Sequence, residues 1–498
     1  MMALTRHWLL IASLAALLSV GCRTKPPPNG DDIRKSALPN VVLPESWKAT
    51  QAPAGAQAAG GSQVAAGAAI QDNWLASFHD DQLTALANEA VANNPDLRVA
   101  AARVEQANSY LDVAKAQLRP AVNIFGTGGL KAGGGGDLTG ALQGLMLGVS
   151  WEADIWGRLR YARNAAEENY ASVRGDVEFA RQSIAATAAR SWFTVTETYL
   201  QRQIASDMVR SGEELAKLSA QRAEVGAGNE QEAALARANL GNYQDALLQI
   251  QQAHQQALRS MEILLGRYPS AELQARTTLT PMPGPVPVGL PLQMLERRPD
   301  LLAAEHRVAV AFNQIGEAKA AQLPKITLNA SFGVLSSDVL QLKSDFSNPT
   351  GGVGARLLAP IYQGGALKAQ VAIKKGEQKA AIAQYAGLAL RALGDVENAL
   401  AGTETLNQRV QVLNRVVADQ QKSLDLVKDA YSVGRRDLRS VQEQQLVLFA
   451  ARVAMLRAQS DQLSQRVNLY LALGGSFDQP AAKTAGNAPA TAKVSGGQ

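Results

Sequence analysis

Proline sets the first limit on this fold. None occurs from Ala121 to Tyr268, and none from Ile361 to Gln479. A proline inside a helix removes a hydrogen bond and clashes with the preceding turn. Two proline-free stretches of more than 100 residues therefore permit very long helices. Five prolines crowd between Pro281 and Pro291 instead, which marks that segment as a linker between halves.

The halves repeat. Pro95-Asp96-Leu97 matches Pro299-Asp300-Leu301. At the same offset Arg103, Lys115 and Pro120 match Arg307, Lys319 and Pro324, within 11 identities over 26 ungapped positions. Duplication follows. Each copy predicts a helix opened by proline in its first turn and closed before the next proline.

After each closing proline the period changes from helical to two. Ile326, Leu328, Ala330, Phe332 and Val334 alternate with Lys325, Thr327, Asn329, Ser331 and Gly333. Val353, Ala355, Leu357 and Ala359 alternate with Gly352, Gly354 and Arg356. In the first half Val122 and Ile124 flank Asn123, and Leu145, Leu147, Val149 and Trp151 alternate with Met146, Gly148 and Ser150. A Gly133–Gly136 loop separates those two strands. Strands of about ten residues with one apolar and one polar face fit tilted transmembrane strands. Soluble hairpins with one face on a core are the alternative.

The long helices come next. From Gly364 to Tyr431, Leu406, Val410, Leu413, Val417, Gln420, Leu424, Val427 and Tyr431 are spaced by alternating fours and threes. After Gly434 the pattern resumes through Phe449, Val453, Leu456, Ser460, Leu463, Val467 and Tyr470. These are coiled-coil seams. Gly157 to Val225 and Glu230 to Leu265 are the first-half counterparts. At 1.5 Å per residue the longest helices reach about 100 Å, too long for a compact domain.

The N-terminus reads as an address. Arg6 and His7 precede the apolar run Trp8–Leu18, and Ser19-Val20-Gly21 lead to Cys22, the only cysteine. This is a secretory signal with a lipoprotein-like box, Cys22 being acylated. Ser19 stands where the usual box has Leu, and Arg23 after the cysteine favours the outer membrane. The chain divides into a signal peptide (1–21), an acylated N-terminus and extended Pro/Ala/Gly-rich tether (22–72), a first repeat (73–270), a linker (271–298), a second repeat (299–478) and a disordered tail (479–498).

Composition excludes much else. One cysteine rules out a disulfide framework, and His7, His79, His254 and His306 show no metal-ligand spacing. There is no phosphate loop and no hydrolase elbow. The net charge of +5 is a mixed surface, not a nucleic-acid footprint. Glu152/Asp154 and Asp395/Glu397 are carboxylate pairs two residues apart, which do not face each other on a helix. They are expected to be solvated or interhelical charge. No enzyme, metal or cofactor is expected.

Pro360-Ile361-Tyr362-Gln363-Gly364-Gly365, Trp151-Glu152-Ala153-Asp154-Ile155-Trp156-Gly157, Arg298-Pro299-Asp300-Leu301, Leu264-Leu265-Gly266-Arg267-Tyr268-Pro269 and Leu471-Ala472-Leu473-Gly474-Gly475 strongly resemble the TolC/NodT family of outer membrane factors. The resemblance covers about residues 73–477. It implies a mainly α fold with a membrane β-barrel, in which two helix–strand pair–long helix–helix repeats form a periplasmic α-barrel. It also implies small-molecule export from a resistance-nodulation-division pump of the inner membrane, passed on through a periplasmic adaptor. A protein-secretion or metal-efflux duct belongs to the same class. A structural coiled-coil envelope lipoprotein is a different class, and the alternating strands argue against it. Four strands per chain leave open edges, which lipid forbids. Three chains give about twelve strands, the smallest multiple with a useful lumen, and the resemblance also points to a homotrimer.

Val225-Gly226 and Val433-Gly434 mark turns between the long helices, since glycine suits a left-handed helix end. The resemblance makes these turns the adaptor-docking periplasmic tips, with Tyr431 and Arg436 at places that help hold the tunnel closed. Ser440 and Glu443 stand where the best-known members carry two aspartates, so at most half of that acidic ring is present. Ala223 takes the place of Tyr431 in the first half. A closed tip held mainly by second-half contacts is expected.

Overall fold

The computed structural model describes residues 24–50, 64–66, 72–127, 143–226, 228–336 and 349–478. The signal peptide, Cys22, the Gly133–Gly136 loop, most of the Ala-rich part of the tether and the tail lie outside the described residues. In chain order the elements are α1 (Gly30–Ala37), β1 (Val64–Ala66), α2 (Asp81–Asn93), α3 (Pro95–Ala116), β2 (Ala121–Thr127), β3 (Gln143–Ala153), α4 (Arg158–Glu224) and α5 (Glu230–Leu264). They continue with β4 (Val286–Gly289), α6 (Pro291–Arg297), α7 (Pro299–Ala320), β5 (Lys325–Ser336), β6 (Pro349–Leu358), α8 (Ala366–Ser432) and α9 (Leu438–Ala472). The duplication is preserved in length: α3 and α7 have 22 residues each, α4 and α8 have 67, α5 and α9 have 35.

The described chain forms two compact units. The first comprises Met1–Val41, Ala101–Val177 and Asp300–Leu388. It holds one antiparallel sheet in the order β2-β3-β5-β6. Its register places Val122, Val149, Ala330 and Val353 in one cross-strand row, and Ile124, Leu147, Phe332 and Gly351 in the next. Alternation puts all of them on one face. That face is bare: Ile124 is 69% exposed, Phe332 61% and Val353 89%. It is the face that the period of two assigned to lipid.

Two indoles tie the strand-to-helix junction to the preceding helix ends. Trp151 Nε1 donates to the Leu118 carbonyl at 2.9 Å, and Trp156 Nε1 to the Pro324 carbonyl at 2.7 Å. Asp154 opens α4 by accepting the N–H groups of Leu159 and Arg160, both at 3.0 Å. Such capping satisfies donors that a helix start leaves unpaired.

The tether is not simply extended. Asn29 caps α1 through the Asp32 N–H at 2.8 Å, and Ile33 is buried. The Lys25 N–H donates to the Tyr161 hydroxyl at 3.0 Å. Ile33 and Trp47 (1% exposed) give this Pro/Ala/Gly-rich segment the apolar anchors that its composition concealed.

The second unit comprises Val42–Ala100, Glu178–Pro299 and Ala389–Gln498. The predicted seams pack here: Leu424, Tyr431, Leu456, Leu463, Val467 and Tyr470 are buried. Trp74 stacks on Tyr470 with centroids 5.7 Å apart, and Phe78 lies against Phe193. Trp47 Nε1 reaches the Val288 carbonyl at 3.2 Å. The linker is also more than a linker, because β4 pairs in parallel with β1 and α6 follows it. Two strand segments flanked by Pro or Ala/Gly are enough for this short pair.

The Glu152/Asp154 pair is structural rather than solvated, whereas Asp395 is exposed as expected. Glu152 and Asp154 have side chains only 14% and 10% exposed and are paired with Arg158 and Arg160. Glu397 accepts the N–H groups of Lys48 and Ala49 at 2.9 and 2.8 Å, and Asp395 lies 3.5 Å from Arg298. Glu152, Asp154 and Glu397 each answer a specific donor set, which the spacing in sequence did not reveal.

Candidate functional site

The opposite face of the four-stranded sheet carries the polar residues. Ser150, Asn329 and Gly354 form one row, Gly148, Ser331 and Gly352 the next, and Glu152, Thr327 and Arg356 a third. Thr327, Asn329 and Ser331 thus stand where a polar lumen needs them. Phe125 breaks the pattern. It lies over Gly148, where a Cβ would come within 2.7 Å of its ring, so a larger residue there would push the ring aside. The sequence pattern of β2 gave no sign of this contact.

The turns between the long helices are near copies. Gly226 and Gly434 both have φ of +73°, the left-handed region open to glycine. The Gly226 N–H bonds the Ala223 carbonyl at 3.2 Å, and the Gly434 N–H bonds the Tyr431 carbonyl at 3.0 Å. Asn229 caps α5 through the Glu232 N–H at 2.8 Å, and Asp437 caps α9 through the Ser440 N–H at 3.0 Å. Hydrogen bonds from Ser440 hold the Asp437 carboxyl below its ordinary range. Val225 and Val433 are exposed at 78% and 66%. Neither side chain is buried in packing within the chain.

The two halves meet below these turns. Leu215 and Ala216 of α4, Ala236 of α5, Leu424 and Tyr431 of α8, and Leu438 of α9 form one apolar cluster. Tyr431 is 7% exposed, and the Arg222 guanidinium lies 4.9 Å from its ring centroid. Its hydroxyl has no hydrogen-bond partner among the described residues. Arg436 is exposed and makes no hydrogen bond or ion pair among the described residues. Glu443 is engaged by Arg439 at 2.9 Å. Within one chain Tyr431 is therefore held by a first-half cation, not by second-half contacts alone. The comparison of Ala223 with Tyr431 hid Arg222, which stands one residue earlier.

The sequence profile of the family described as outer membrane efflux protein matches residues 86–267 and 290–475. The chain belongs to this family. The two matched stretches correspond to the two repeats. A probable efflux pump outer membrane protein, TtgC of Pseudomonas putida, is 30% identical over 456 residues, covering 89% of this chain and 93% of the relative. The cation efflux system protein CusC of Escherichia coli is 27% identical over 474 residues, covering 94% and 99%. The solved CmeC outer membrane channel of Campylobacter jejuni superposes with a TM-score of 0.80 at 21% identity, covering 93% of this chain and 96% of that one. The fold is thus that of outer membrane channels, and this family member is an outer membrane efflux channel extending into the periplasm. Its sheet carries one bare apolar face, the kind that strands of a membrane barrel turn outward.

Proposed function

We propose that this channel is the exit duct of a tripartite pump, moving small toxic molecules from an inner-membrane resistance-nodulation-division pump, through a periplasmic adaptor, to the exterior. The observation that carries this reading is the four-stranded sheet with one apolar face and two edge strands, β2 and β6, whose outer sides are unpaired among the described residues. Lipid forbids open edges, because unpaired backbone groups there cost several kcal/mol each. Three copies close a barrel of about twelve strands, where about eight would be filled by side chains. The exposed Val225 and Val433 offer the adaptor its apolar contact. Tyr431, Arg436 and Arg222 hold the tip closed, and Ser440 and Glu443 line it. The ring of Tyr431 carries its part, since its hydroxyl has no partner among the described residues.

Purified protein in detergent is expected to have the native mass of a trimer and to conduct in planar bilayers. Tyr431→Ala with Arg436→Ser is expected to raise single-channel conductance. A native mass of a monomer or dimer refutes the barrel; unchanged conductance in an intact trimer leaves the turn without a gate.

Cys22 is the proposed lipid attachment point and needs its own test. Cys22→Ser is expected to abolish labelling by an alkyne fatty acid. The barrel still inserts, because its apolar face buries far more surface than acyl chains at about 0.8 kcal/mol per CH₂. A variant that keeps the label shows that the box is misread.

A further inference from the structure

The described parts of β2, β3, β5 and β6 contain three charged residues: Glu152, Lys325 and Arg356. All three lie on the polar face. Glu152 and Arg356 flank Thr327 in a single cross-strand row, and Lys325 is two residues from Thr327 on the same strand. Glu152 is neutralised twice. Lys325 Nζ lies 2.7 Å from its carboxylate, and Arg158 grips both carboxylate oxygens at 3.0 and 2.9 Å. Glu317 lies 3.9 Å from Arg158. Counting all five groups leaves one positive charge per chain.

Arg356 carries that charge. It is exposed and makes no hydrogen bond or ion pair among the described residues. Gly352 and Gly354 precede it on the same face, with no atom within 4 Å of where a Cβ would stand, so nothing beside it hinders the guanidinium. β6 is an edge strand. The strand that would close against it, β2, contains no acidic residue, and the exposed Arg119 precedes it.

We propose that Arg356 forms a cationic ring in the lumen and makes the duct selective for anions, so that its cargo is organic molecules bearing a carboxylate, sulfonate or phosphate group. This rests on the closed trimeric barrel proposed above. Rings of charged side chains set the ion preference of pores, and low-dielectric walls concentrate their field. The preference follows salt: the screening length is about 10 Å at 0.1 M and about 3 Å at 1 M. A metal cation would be repelled by this ring, which separates this channel from a duct for cations.

The test is the reversal potential of the full-length trimer in a planar bilayer under a tenfold potassium chloride gradient centred near 0.1 M, repeated near 1 M. It is run in the wild type and in the Tyr431→Ala/Arg436→Ser background, so that the tip does not dominate the reading. Chloride is expected to permeate about twofold or more better than potassium at low salt, with the preference fading at high salt. Arg356→Lys should keep the preference, Arg356→Gln should reduce it, and Arg356→Glu should invert it. Conduction with potassium preferred, or with selectivity unchanged in Arg356→Glu, overturns this inference alone. A correctly inserted trimer that conducts nothing overturns the duct reading, and this inference with it.

Discussion

Leu147→Arg is expected to abolish assembly in the outer membrane. Leu147 stands mid-sheet between Ile124 and Phe332 on the apolar face. A guanidinium there must enter hydrocarbon, at about 2–4 kcal/mol near the bilayer midplane. In a trimer the substitution occurs three times, so the total is about 6–12 kcal/mol by the same scale. That rivals the whole stability of an ordinary domain, about 5–15 kcal/mol. The control is one face away. Ser331→Arg, next to Phe332 in β5 but pointing to the polar side, should assemble nearly as the wild type does. Membrane fractionation and surface protease accessibility report the outcome. If Leu147→Arg reaches the outer membrane at wild-type level while Ser331→Arg fails, the two faces have been assigned the wrong way round.

This contrast rests on the part of the fold most legible in sequence. A strand alternates with a period of two, so Ile326 to Val334 declare a face without any tertiary information. The long helices were equally open to reading, because absence of proline and a sustained heptad are local properties. Their ends were marked by Gly157, Gly226, Gly364 and Gly434, all with positive φ in the structure. What escaped was tertiary. Val64–Ala66 and Val286–Gly289 pair only because the chain brings them together, and nothing in either segment names the other. Ile33 and Trp47 are single apolar residues in a Pro/Ala/Gly-rich stretch, too sparse for any period. Arg222 escaped for another reason: the repeat directs attention to equivalent positions, whereas the partner of Tyr431 lies at a position the repeat does not pair with it. The lone charge of Arg356 likewise needed the side-chain contacts, which show Lys325 and Arg158 both committed to Glu152.

The same limit hid the residue whose loss should be felt most in the second unit. Asp80 is 2% exposed and gathers groups from far along the chain. Its carboxylate accepts the Leu83 N–H at 3.0 Å, Trp192 Nε1 at 3.3 Å and the Thr280 hydroxyl at 2.7 Å, and it lies 2.8 Å from Arg276 Nη1. One side chain thereby caps α2, fixes α4 through its indole and anchors the linker. Asp80→Ala strands all four donors, one of them charged. Breaking a buried ion pair from one side costs about 3–5 kcal/mol, and each further orphaned donor adds about 1 kcal/mol or more. The midpoint of thermal loss of helical signal in detergent should fall sharply. Asp80→Ala with Arg276→Met should recover part of the loss, since it removes the stranded charge. The pH profile gives a second reading. Burial alone would raise the Asp80 pKa; the bonds from Leu83, Thr280 and Arg276 outweigh it and hold the carboxyl below its ordinary 3.8. A depressed folded-state pKa stabilises above the unfolded value and is lost as pH falls through the folded one. The wild type should therefore lose its advantage over Asp80→Ala only as pH falls below about 4. A variant as stable as the wild type at neutral pH, or an advantage that does not shrink in acid, would show that these four bonds do not hold the unit together.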